Sequence, residues 1–302
     1  MSASTLAVAE PRIALLGRLR DYVELTKPRI AVLELVVVLT AGVVATWGQP
    51  DPATIAHALF GTLLVAASAS AANQWLERFS DSRMPRTADR PLPTGRISST
   101  EALVFAGLTL LAGTLYIAAF LNLACLGWAL AAWVAYVAVY TPLKLHSALN
   151  TAVGAVAGAL PVLIGWSATG AALDGRALAL FLVLFLWQFP HFMAIAWLYR
   201  EQYARGGHQM LTVVDPTGRR AGRQAVLAAL ALIPVSLVPV LAAPGLGTIL
   251  YVTLAGLLGF GQLALAIAFA HSATDWRARL LLRASLVYLP TLLAMLILVP
   301  WL

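Results

Sequence analysis

The sequence predicts an all-α protein that crosses the membrane nine times, and three observations support this fold class. Of the 302 residues, 61% are hydrophobic and 11% charged, with a mean hydropathy of +0.84, a balance that soluble domains do not show. Apolar runs long enough to cross a bilayer recur along the whole chain. They are continuous rather than alternating, which excludes a transmembrane β-barrel. The predicted spans are 30–47, 55–76, 101–120, 123–141, 149–169, 177–199, 224–243, 246–270 and 281–301.

The positions of the basic residues predict the orientation of these spans. Lysines and arginines concentrate before the first span and in the loops at 77–100 and 200–223, with Lys144 between spans four and five. The loops on the opposite side carry only Arg176. The positive-inside rule therefore places residues 1–24 and the large loops in the cytoplasm. The net charge of +7 therefore mostly reflects the orientation of the spans. No nucleic-acid partner is expected.

The chain shows no polar linker long enough to separate two domains, so we predict a single membrane domain over residues 1–302. The first 25 residues lack the apolar segment of a secretory signal. They contain Glu10, Asp21 and Glu24, which argues against a mitochondrial transit peptide and favours a bacterial inner membrane. The single cysteine, Cys125, lies in a span, where we expect it to serve packing, and it excludes a disulfide framework or a thiolate metal site.

The most informative motif ends the second apolar run. Asn73, Glu77 and Asp81 are spaced by four residues, so on a helix they share one face where the span meets water. Carboxylates suit Mg²⁺, which usually shares its coordination with substrate phosphates. Arginine suits phosphate and carboxylate groups directly. The pattern predicts a site for Mg²⁺ and a diphosphate, and the alternative is a solvated loop whose arginines only set the topology. The arginines around this face are Arg78, Arg83, Arg86 and Arg90.

A second polar segment follows the sixth span. The run from Tyr199 to Tyr203 contains Arg200 and Glu201 between two phenols. Alone, this segment is a weak metal cluster. Because it is predicted on the same membrane face as the first motif, the two loops are expected to close over one central cavity, with the second forming its other wall.

Polar residues inside the spans are candidates for function, because a buried charge in a bilayer is costly. Gln188 and His191 lie three residues apart in the sixth span, beside Trp187, and both a packing role and a binding role stay open for them. Glu34 lies just inside the first span, where we expect Lys27 or a neighbouring arginine to pair with it. The remaining histidines are predicted to lie at the surface, namely His57, His208 and His271.

Together these segments resemble the UbiA superfamily of intramembrane prenyltransferases, and within it the branch that farnesylates heme. The matches keep the family's order and spacing from about residue 20 to residue 216. The acidic motif is typical of the whole superfamily, whereas the Trp-Gln-x-Pro-His segment points to heme. The matching segments are Leu25 to Arg29, Asn73 to Asp81, Arg86 to Pro91, Gly158 to Trp166, Trp187 to Arg200 and Met210 to Pro216.

The resemblance implies a UbiA-type bundle around a central cavity and two cytoplasmic loop caps. It implies transfer of a farnesyl group from farnesyl diphosphate to a vinyl group of heme b, with Mg²⁺ as cofactor. Asn73, Glu77 and Asp81 would hold one Mg²⁺, and Glu201 would help to hold a second. Lys144 would join these residues in catalysis.

The same resemblance implies the residues that bind the substrates. Heme would lie beside Trp187, Gln188 and His191, where His191 either ligates the iron or orients a propionate. Heme b, farnesyl diphosphate and the bilayer are the expected partners, with a heme A synthase as a further candidate. Contacts to the diphosphate or the propionates would come from Lys27, Arg83, Arg86, Arg90 and Arg200.

The sequence departs from the family's pattern at three positions. Glu77 and Gln202 stand where the family usually has aspartate, and Leu145 stands where a basic residue is common. These departures bear on the second metal site and on the catalytic rate more than on the class of enzyme. Two alternatives stay open, a UbiA-type prenyltransferase for an aromatic quinone precursor and a non-catalytic transporter of heme or another small molecule. Transporters usually place polar sites at the midplane, so acids clustered at one face favour catalysis.

Overall fold

A computed structural model describes residues 15–241 and 245–302. In this described part, nine helices are long and apolar enough to cross a membrane, which confirms the predicted fold class. Residues 1–14 of the predicted cytoplasmic segment, and the last two residues of the predicted seventh span, lie outside the described residues. The nine helices are α1 (Pro28–Ala45), α2 (Pro52–Asp81), α3 (Ser99–Phe120), α4 (Leu123–Leu143), α5 (Asn150–Ala168), α6 (Gly175–Leu198), α7 (Arg219–Val240), α8 (Leu246–His271) and α9 (Asp275–Trp301).

Local signals set where several helices begin. Asp51 precedes α2, and its carboxylate accepts a hydrogen bond from the backbone N–H of Thr54 at 2.9 Å, which satisfies one of the free donors of the first turn. Ser98 and Glu101 form a capping box at the start of α3. Asp174 caps α6 by accepting hydrogen bonds from two backbone N–H groups. These caps fix the loop ends, so the apolar runs enter the membrane in a defined register.

Helix α2 is the longest of the nine and carries the acidic motif. It continues to Asp81, beyond the predicted end of the apolar run at residue 76. The added residues extend the helix past the apolar run, so Glu77 and Asp81 are presented on a rigid helix rather than on a loop.

A π-helical segment, Val134–Tyr140, interrupts α4 near its end. The wider turn is followed by Thr141, whose hydroxyl donates to the carbonyl oxygen of Tyr136 at 2.8 Å, and by Pro142, which has no backbone N–H to donate. Segments of this kind are short and frequent at functional sites. Here the segment directs Tyr136 and Tyr140 towards the interior of the bundle.

The helices α1, α5, α6 and α9 share one buried cluster that includes Val37, Trp166, Trp187 and Tyr288. Helix α5 approaches α1 very closely. A Cβ atom on Gly165 would lie 2.2 Å from the carbonyl oxygen of Val38, so only glycine allows this distance between the two backbones. Small residues commonly serve this purpose between membrane helices.

Two loops lie over the same end of the bundle. Residues 82–98 follow α2, and residues 199–218, with the short helices Arg200–Arg205 and Leu211–Val214, follow α6. The second loop is fixed to the bundle through Gln209. Its backbone N–H donates to the carbonyl oxygen of Lys144 at 2.6 Å, and its carbonyl oxygen accepts from the Asn150 amide at 3.0 Å. The expectation of two loop caps is therefore confirmed.

The close contact between α1 and α5 predicts a large difference between two glycine substitutions. Gly165→Ala should destabilise the protein by about 1–3 kcal/mol, because the added methyl group forces the helices apart. Gly127→Ala in α4 is the matched control, since its Cβ would meet no atom within 4 Å, and it should be neutral or slightly stabilising. Thermal unfolding in detergent measures both, and equal melting temperatures would contradict the packing argument.

Candidate active site

One cavity of about 540 Å³ begins between the two loops and extends into the bundle. It is lined by α1, α2, α4, α5 and α6 together with both loops. Its volume lies within the range of sites for small molecules and cofactors. Ionisable side chains surround the end near the loops, which we call the mouth, and mostly apolar side chains surround the deeper part, which we call the inner chamber.

Two carboxylates of the acidic motif line the mouth, and each is paired with a cation. Glu77 Oε1 lies 2.7 Å from Lys144 Nζ, and Asp81 Oδ2 lies 2.6 Å from Arg90 Nη1. All four side chains are largely buried. Because removing one partner would leave an uncompensated buried charge, the pairs hold α4 and the first loop against α2.

Asn73 lies on the same helix face as Glu77 and Asp81, as predicted, but it does not line the cavity. Its side-chain N–H donates to the Thr141 hydroxyl at 2.8 Å, and its side-chain oxygen accepts a hydrogen bond from Lys27. Both polar groups of the amide are therefore in use within the protein. The structure thus makes Asn73 an anchor for Lys27, while Glu77 and Asp81 face the cavity.

Five cations line the cavity, and the surroundings of its two lysines shift their pKa values in opposite directions. The five are Lys27, Arg29, Arg86, Arg90 and Lys144. Burial lowers the pKa of Lys27 to about 7, against the attraction of Glu77. Burial also acts to lower the pKa of Lys144, but the adjacent Glu77 outweighs it and raises that pKa above its ordinary value. Lys144 therefore stays protonated at neutral pH, whereas Lys27 titrates there.

The backbone of Lys27 is unusual. It has a φ of 51° and precedes Pro28, although left-handed conformations are uncommon for residues with a side chain. Such conformations cost about 1–3 kcal/mol and persist where the surrounding structure enforces them, often at functional sites. Here the hydrogen bond to Asn73 holds the Lys27 side chain at the mouth.

Besides Asn73, three of the predicted site residues lie outside the cavity, namely Arg83, Arg200 and Glu201. Arg83 and Glu201 are exposed, and Arg200 donates to Asp275 Oδ1 at 3.0 Å instead. Glu201 is two residues from Tyr203, which does line the cavity, and residues two apart do not share a helix face. The expected role of Glu201 in a second metal site is therefore not supported by its position.

The structure adds a residue that the sequence analysis placed at the surface. His208 is only 3% exposed and lines the mouth, so that expectation was wrong. Neither ring nitrogen has a hydrogen-bond partner among the described residues, and burial lowers its pKa. The sequence feature that could have indicated this position is Gly207. Its φ of 77° turns the chain back towards the bundle just before His208.

In the inner chamber, the Trp-Gln-x-Pro-His segment forms a supported wall. Trp187 Nε1 donates to the carbonyl oxygen of Ser285 at 2.7 Å, and the Trp187 and His191 rings stack at 4.7 Å. Gln188 donates to the carbonyl oxygen of Ala155 at 2.9 Å. His191 is seven residues from Leu198 at the end of α6, or about 10 Å deeper along the helix.

The Ser285 hydroxyl contacts both His191 and the backbone of its own helix. The Ser285 hydroxyl has one hydrogen and donates it to the carbonyl oxygen of Leu282 at 2.7 Å. Its oxygen lies 2.9 Å from His191 Nδ1, and with the hydroxyl hydrogen on the Leu282 carbonyl, Nδ1 is the donor of that contact. His191 Nε2 is then a bare acceptor beside the cavity, the form in which histidine ligates metals. Ser285 was not among the predicted site residues. Its place as a polar residue inside a span could have identified it.

Glu34 also lines the inner chamber, and the prediction that a lysine or arginine pairs with it was wrong. Among the described residues it has neither an ion pair nor a hydrogen-bond partner. It lies seven residues beyond Lys27, or about 10 Å along α1, which is too far for Lys27 to reach it while bound to Asn73.

The mouth has the donor chemistry of a Mg²⁺ site that a substrate completes. Mg²⁺ is usually held by one or two carboxylates together with phosphate oxygens, and Glu77 and Asp81 supply two carboxylates. Among the described residues, no group of three or more His, Cys, Asp or Glu side chains could hold a metal by itself. The arrangement therefore favours joint binding of a cation and a diphosphate.

Comparison with known proteins places this architecture in a family. The model of the UbiA prenyltransferase family matches residues 35–299. A protoheme IX farnesyltransferase of Solibacter usitatus is 41% identical over 292 residues, covering 93% of this chain and 98% of that protein. A protein of the same name from Koribacter versatilis is 40% identical and covers 99% of both chains.

Solved structures show the same fold at low sequence identity. A digeranylgeranylglyceryl phosphate synthase superposes with a TM-score of 0.78 at 16% identity, covering 94% of this chain and 99% of that chain. A UbiA homologue from Archaeoglobus fulgidus, bound to DMAPP and Mg²⁺, superposes with a TM-score of 0.68 at 19% identity, covering 93% and 99%.

The paired charges at the mouth predict the effect of Asp81→Asn. The substitution keeps the shape but leaves Arg90 without its partner, so binding of inorganic diphosphate in the presence of Mg²⁺ should weaken, as measured by calorimetry. The melting temperature should fall, but by less than the roughly 3–5 kcal/mol for a fully buried pair, because Arg90 keeps a fifth of its side chain exposed.

The matched control is Asp174→Asn. It breaks a more exposed pair with Arg176 at 2.9 Å, which should be worth about 0–1 kcal/mol, and it should leave diphosphate binding unchanged. Equal diphosphate affinity in the Asp81 variant and the parent would exclude Asp81 from the site.

Proposed function

The chain belongs to the UbiA prenyltransferase family, and we propose that it transfers a farnesyl group from farnesyl diphosphate to a vinyl group of heme b. The relatives at about 40% identity, named protoheme IX farnesyltransferase, support this activity. The structural observation that carries it is one continuous cavity, which joins a charged mouth to an inner chamber containing a histidine with a free Nε2.

The mouth suits the diphosphate. Breaking the allylic C–O bond places negative charge on the leaving diphosphate, and groups already aimed at that charge lower the barrier. Lys27, Lys144, Arg86 and Arg90 supply such groups. Mg²⁺, held between Glu77, Asp81 and the diphosphate, would neutralise further charge there. His208 adds a buried imidazole with no competing partner within the described protein.

Substrate binding at the mouth is an exchange of partners. Without substrate, Lys144 and Arg90 are neutralised by Glu77 and Asp81. A diphosphate attracts the two cations, and the released carboxylates favour a divalent cation in return. The site thus keeps its buried charges compensated in both states, which avoids the penalty of an unpaired ion in a poorly solvated place.

The inner chamber suits heme and the prenyl chain. Its walls include Leu33, Val37, Ile164 and Leu184, which keep water away from an allylic cation. We propose that His191 Nε2 ligates the heme iron, because its Nδ1 is committed to Ser285 as a donor. A propionate would need a donor from His191, and the neutral ring offers none at Nε2.

The two alternatives have specific observations against them. An aromatic quinone precursor has no iron for His191 Nε2 to bind, and the relatives at 37–42% identity carry the heme-related name. A transporter would need its ionisable site near the midplane, whereas the paired charges lie at one end of the bundle.

The cellular setting follows from the same features. The chain is a multi-pass membrane protein, and we propose one UbiA-like domain over residues 1–302 in a bacterial inner membrane with the N-terminus in the cytoplasm. The arginine-rich loops after α2 and α6 support this orientation. A heme A synthase is the partner we propose to receive the product.

Product analysis tests the proposed activity. The purified protein, incubated with heme b, farnesyl diphosphate and Mg²⁺, should yield a farnesylated heme carrying a new hydroxyl group, together with diphosphate, detectable by mass spectrometry. A parallel incubation with an aromatic carboxylic acid in place of heme should yield no prenylated product. Prenylation of the aromatic acid alone would overturn the heme assignment.

The tautomer of His191 predicts an optical change in one variant. His191→Ala should remove an axial ligand, shift the absorption spectrum of bound heme and lower product formation, while farnesyl diphosphate binding at the mouth, about 10 Å away, should stay near that of the parent. His57→Ala is the control, because His57 stacks on Phe120 outside the cavity. An unchanged heme spectrum in the His191 variant would exclude iron ligation.

A further inference from the structure

We propose that Glu34 is a catalytic residue, the base that removes a proton from the water molecule that completes the product. This inference rests on the proposed function, in which the new side chain of the product carries a hydroxyl group. That hydroxyl requires a group in the inner chamber that accepts a proton, and the mouth lies too far away to supply one.

Formation of the hydroxylated product consumes one water molecule and releases one proton. The C1–O bond of farnesyl diphosphate breaks, and diphosphate leaves with the electron pair. The terminal vinyl carbon of heme bonds to farnesyl C1, which leaves the carbon next to the porphyrin ring electron-deficient. A water oxygen bonds to that carbon, and one water proton passes to the Glu34 carboxylate. The products are the hydroxylated farnesyl heme, diphosphate and one proton, which Glu34 later releases.

Glu34 differs from the other carboxylates of the cavity. The described lining contains three, namely Glu34, Glu77 and Asp81. Glu77 is neutralised by Lys144 and Asp81 by Arg90, whereas Glu34 has no cation or hydrogen-bond donor among the described residues. An unpaired carboxylate inside a membrane span is costly and marks a functional residue by default. Glu34 is half-buried and lines the cavity.

The depth of Glu34 matches the place where the acceptor reacts. Glu34 lies about 10 Å along α1 from Lys27 at the mouth, and His191 lies about 10 Å along α6 from Leu198. The two side chains line the same cavity at similar depth. If His191 fixes the heme iron, then Glu34 lies at the level of the macrocycle, where the electron-deficient carbon forms.

Other titratable groups of the cavity are less suited to this proton transfer. Lys27 is held at the mouth by Asn73. Tyr136 and Tyr140 are phenols, whose neutral form is a poor base at neutral pH. His208 lies at the mouth, and His191 Nε2 is occupied when it ligates iron. Glu34 also has apolar neighbours in Ile30, Leu33 and Val37 on its own helix, so a water molecule in its vicinity has few other acceptors.

The test compares Glu34→Gln with the parent in bilayer nanodiscs containing heme b, farnesyl diphosphate and Mg²⁺. General-base catalysis contributes about 10²–10⁴-fold, so formation of the hydroxylated product should fall by at least about 100-fold. Diphosphate release should fall much less, because the mouth is unchanged. The missing product should appear instead as a heme lighter by one water molecule, in which the electron-deficient carbon has lost a neighbouring proton, or as free farnesol.

Three measurements separate a base from a structural role. Glu34→Asp keeps a carboxylate and should recover part of the hydroxylated product. The spectrum of bound heme and the melting temperature of Glu34→Gln should match the parent or, for the melting temperature, exceed it, since an unpaired buried charge is removed. Glu24→Gln is the control variant, a change from carboxylate to amide at an exposed residue whose carboxylate pairs with Arg96 outside the cavity.

The outcomes distinguish this inference from the proposed function. Hydroxylated product formed by Glu34→Gln at the parental rate would overturn the role of Glu34 while leaving the activity intact. Loss of heme or farnesyl diphosphate binding in that variant, with no recovery in Glu34→Asp, would also overturn it, because the role would be structural. If the parent itself forms no farnesylated heme, the proposed function fails and the role of Glu34 fails with it.

Discussion

The rest of the site depends on one constraint: ionised groups placed where a membrane bundle meets its loops must neutralise one another. The Glu77–Lys144 and Asp81–Arg90 pairs meet this requirement. Because each pair joins α2 to a different segment, they also fix the position of α4 and of the first loop. Substrate recognition then becomes an exchange of counter-charges, which needs little movement of the backbone.

The second feature is the change of polarity along one cavity. Charged residues at the mouth can bind and release a polyanion, and apolar walls deeper in the bundle keep water from an allylic cation. Reaction with heme, however, also needs a controlled source of water and an acceptor for its proton. A lone carboxylate at the level of His191 supplies that acceptor, which explains why a costly group such as Glu34 is found in the first span.

Support from neighbouring groups keeps this geometry in place. Asn73 contacts both Lys27 and Thr141, and the π-helical segment before Thr141 brings Tyr136 and Tyr140 into the lining. Ser285 plays a comparable part in the inner chamber, where its single hydroxyl hydrogen determines which nitrogen of His191 is free. Asn73, Thr141 and Ser285 do not line the cavity, but they determine how the residues that line it are presented.

The sequence by itself determined the fold class, the nine spans and the shared face of Asn73, Glu77 and Asp81, because apolar length and helical periodicity are local properties of the chain. It also identified Gln188 and His191 as polar candidates for binding inside the sixth span. Only the tertiary structure decided which candidates meet: Glu201, Arg200 and Arg83 lie outside the cavity, while His208, predicted at the surface, lies inside it. Glu34, predicted to be paired, has no partner among the described residues. These outcomes depend on how distant helices and loops pack and in which direction each side chain points, and neither is encoded by the spacing of residues within one segment.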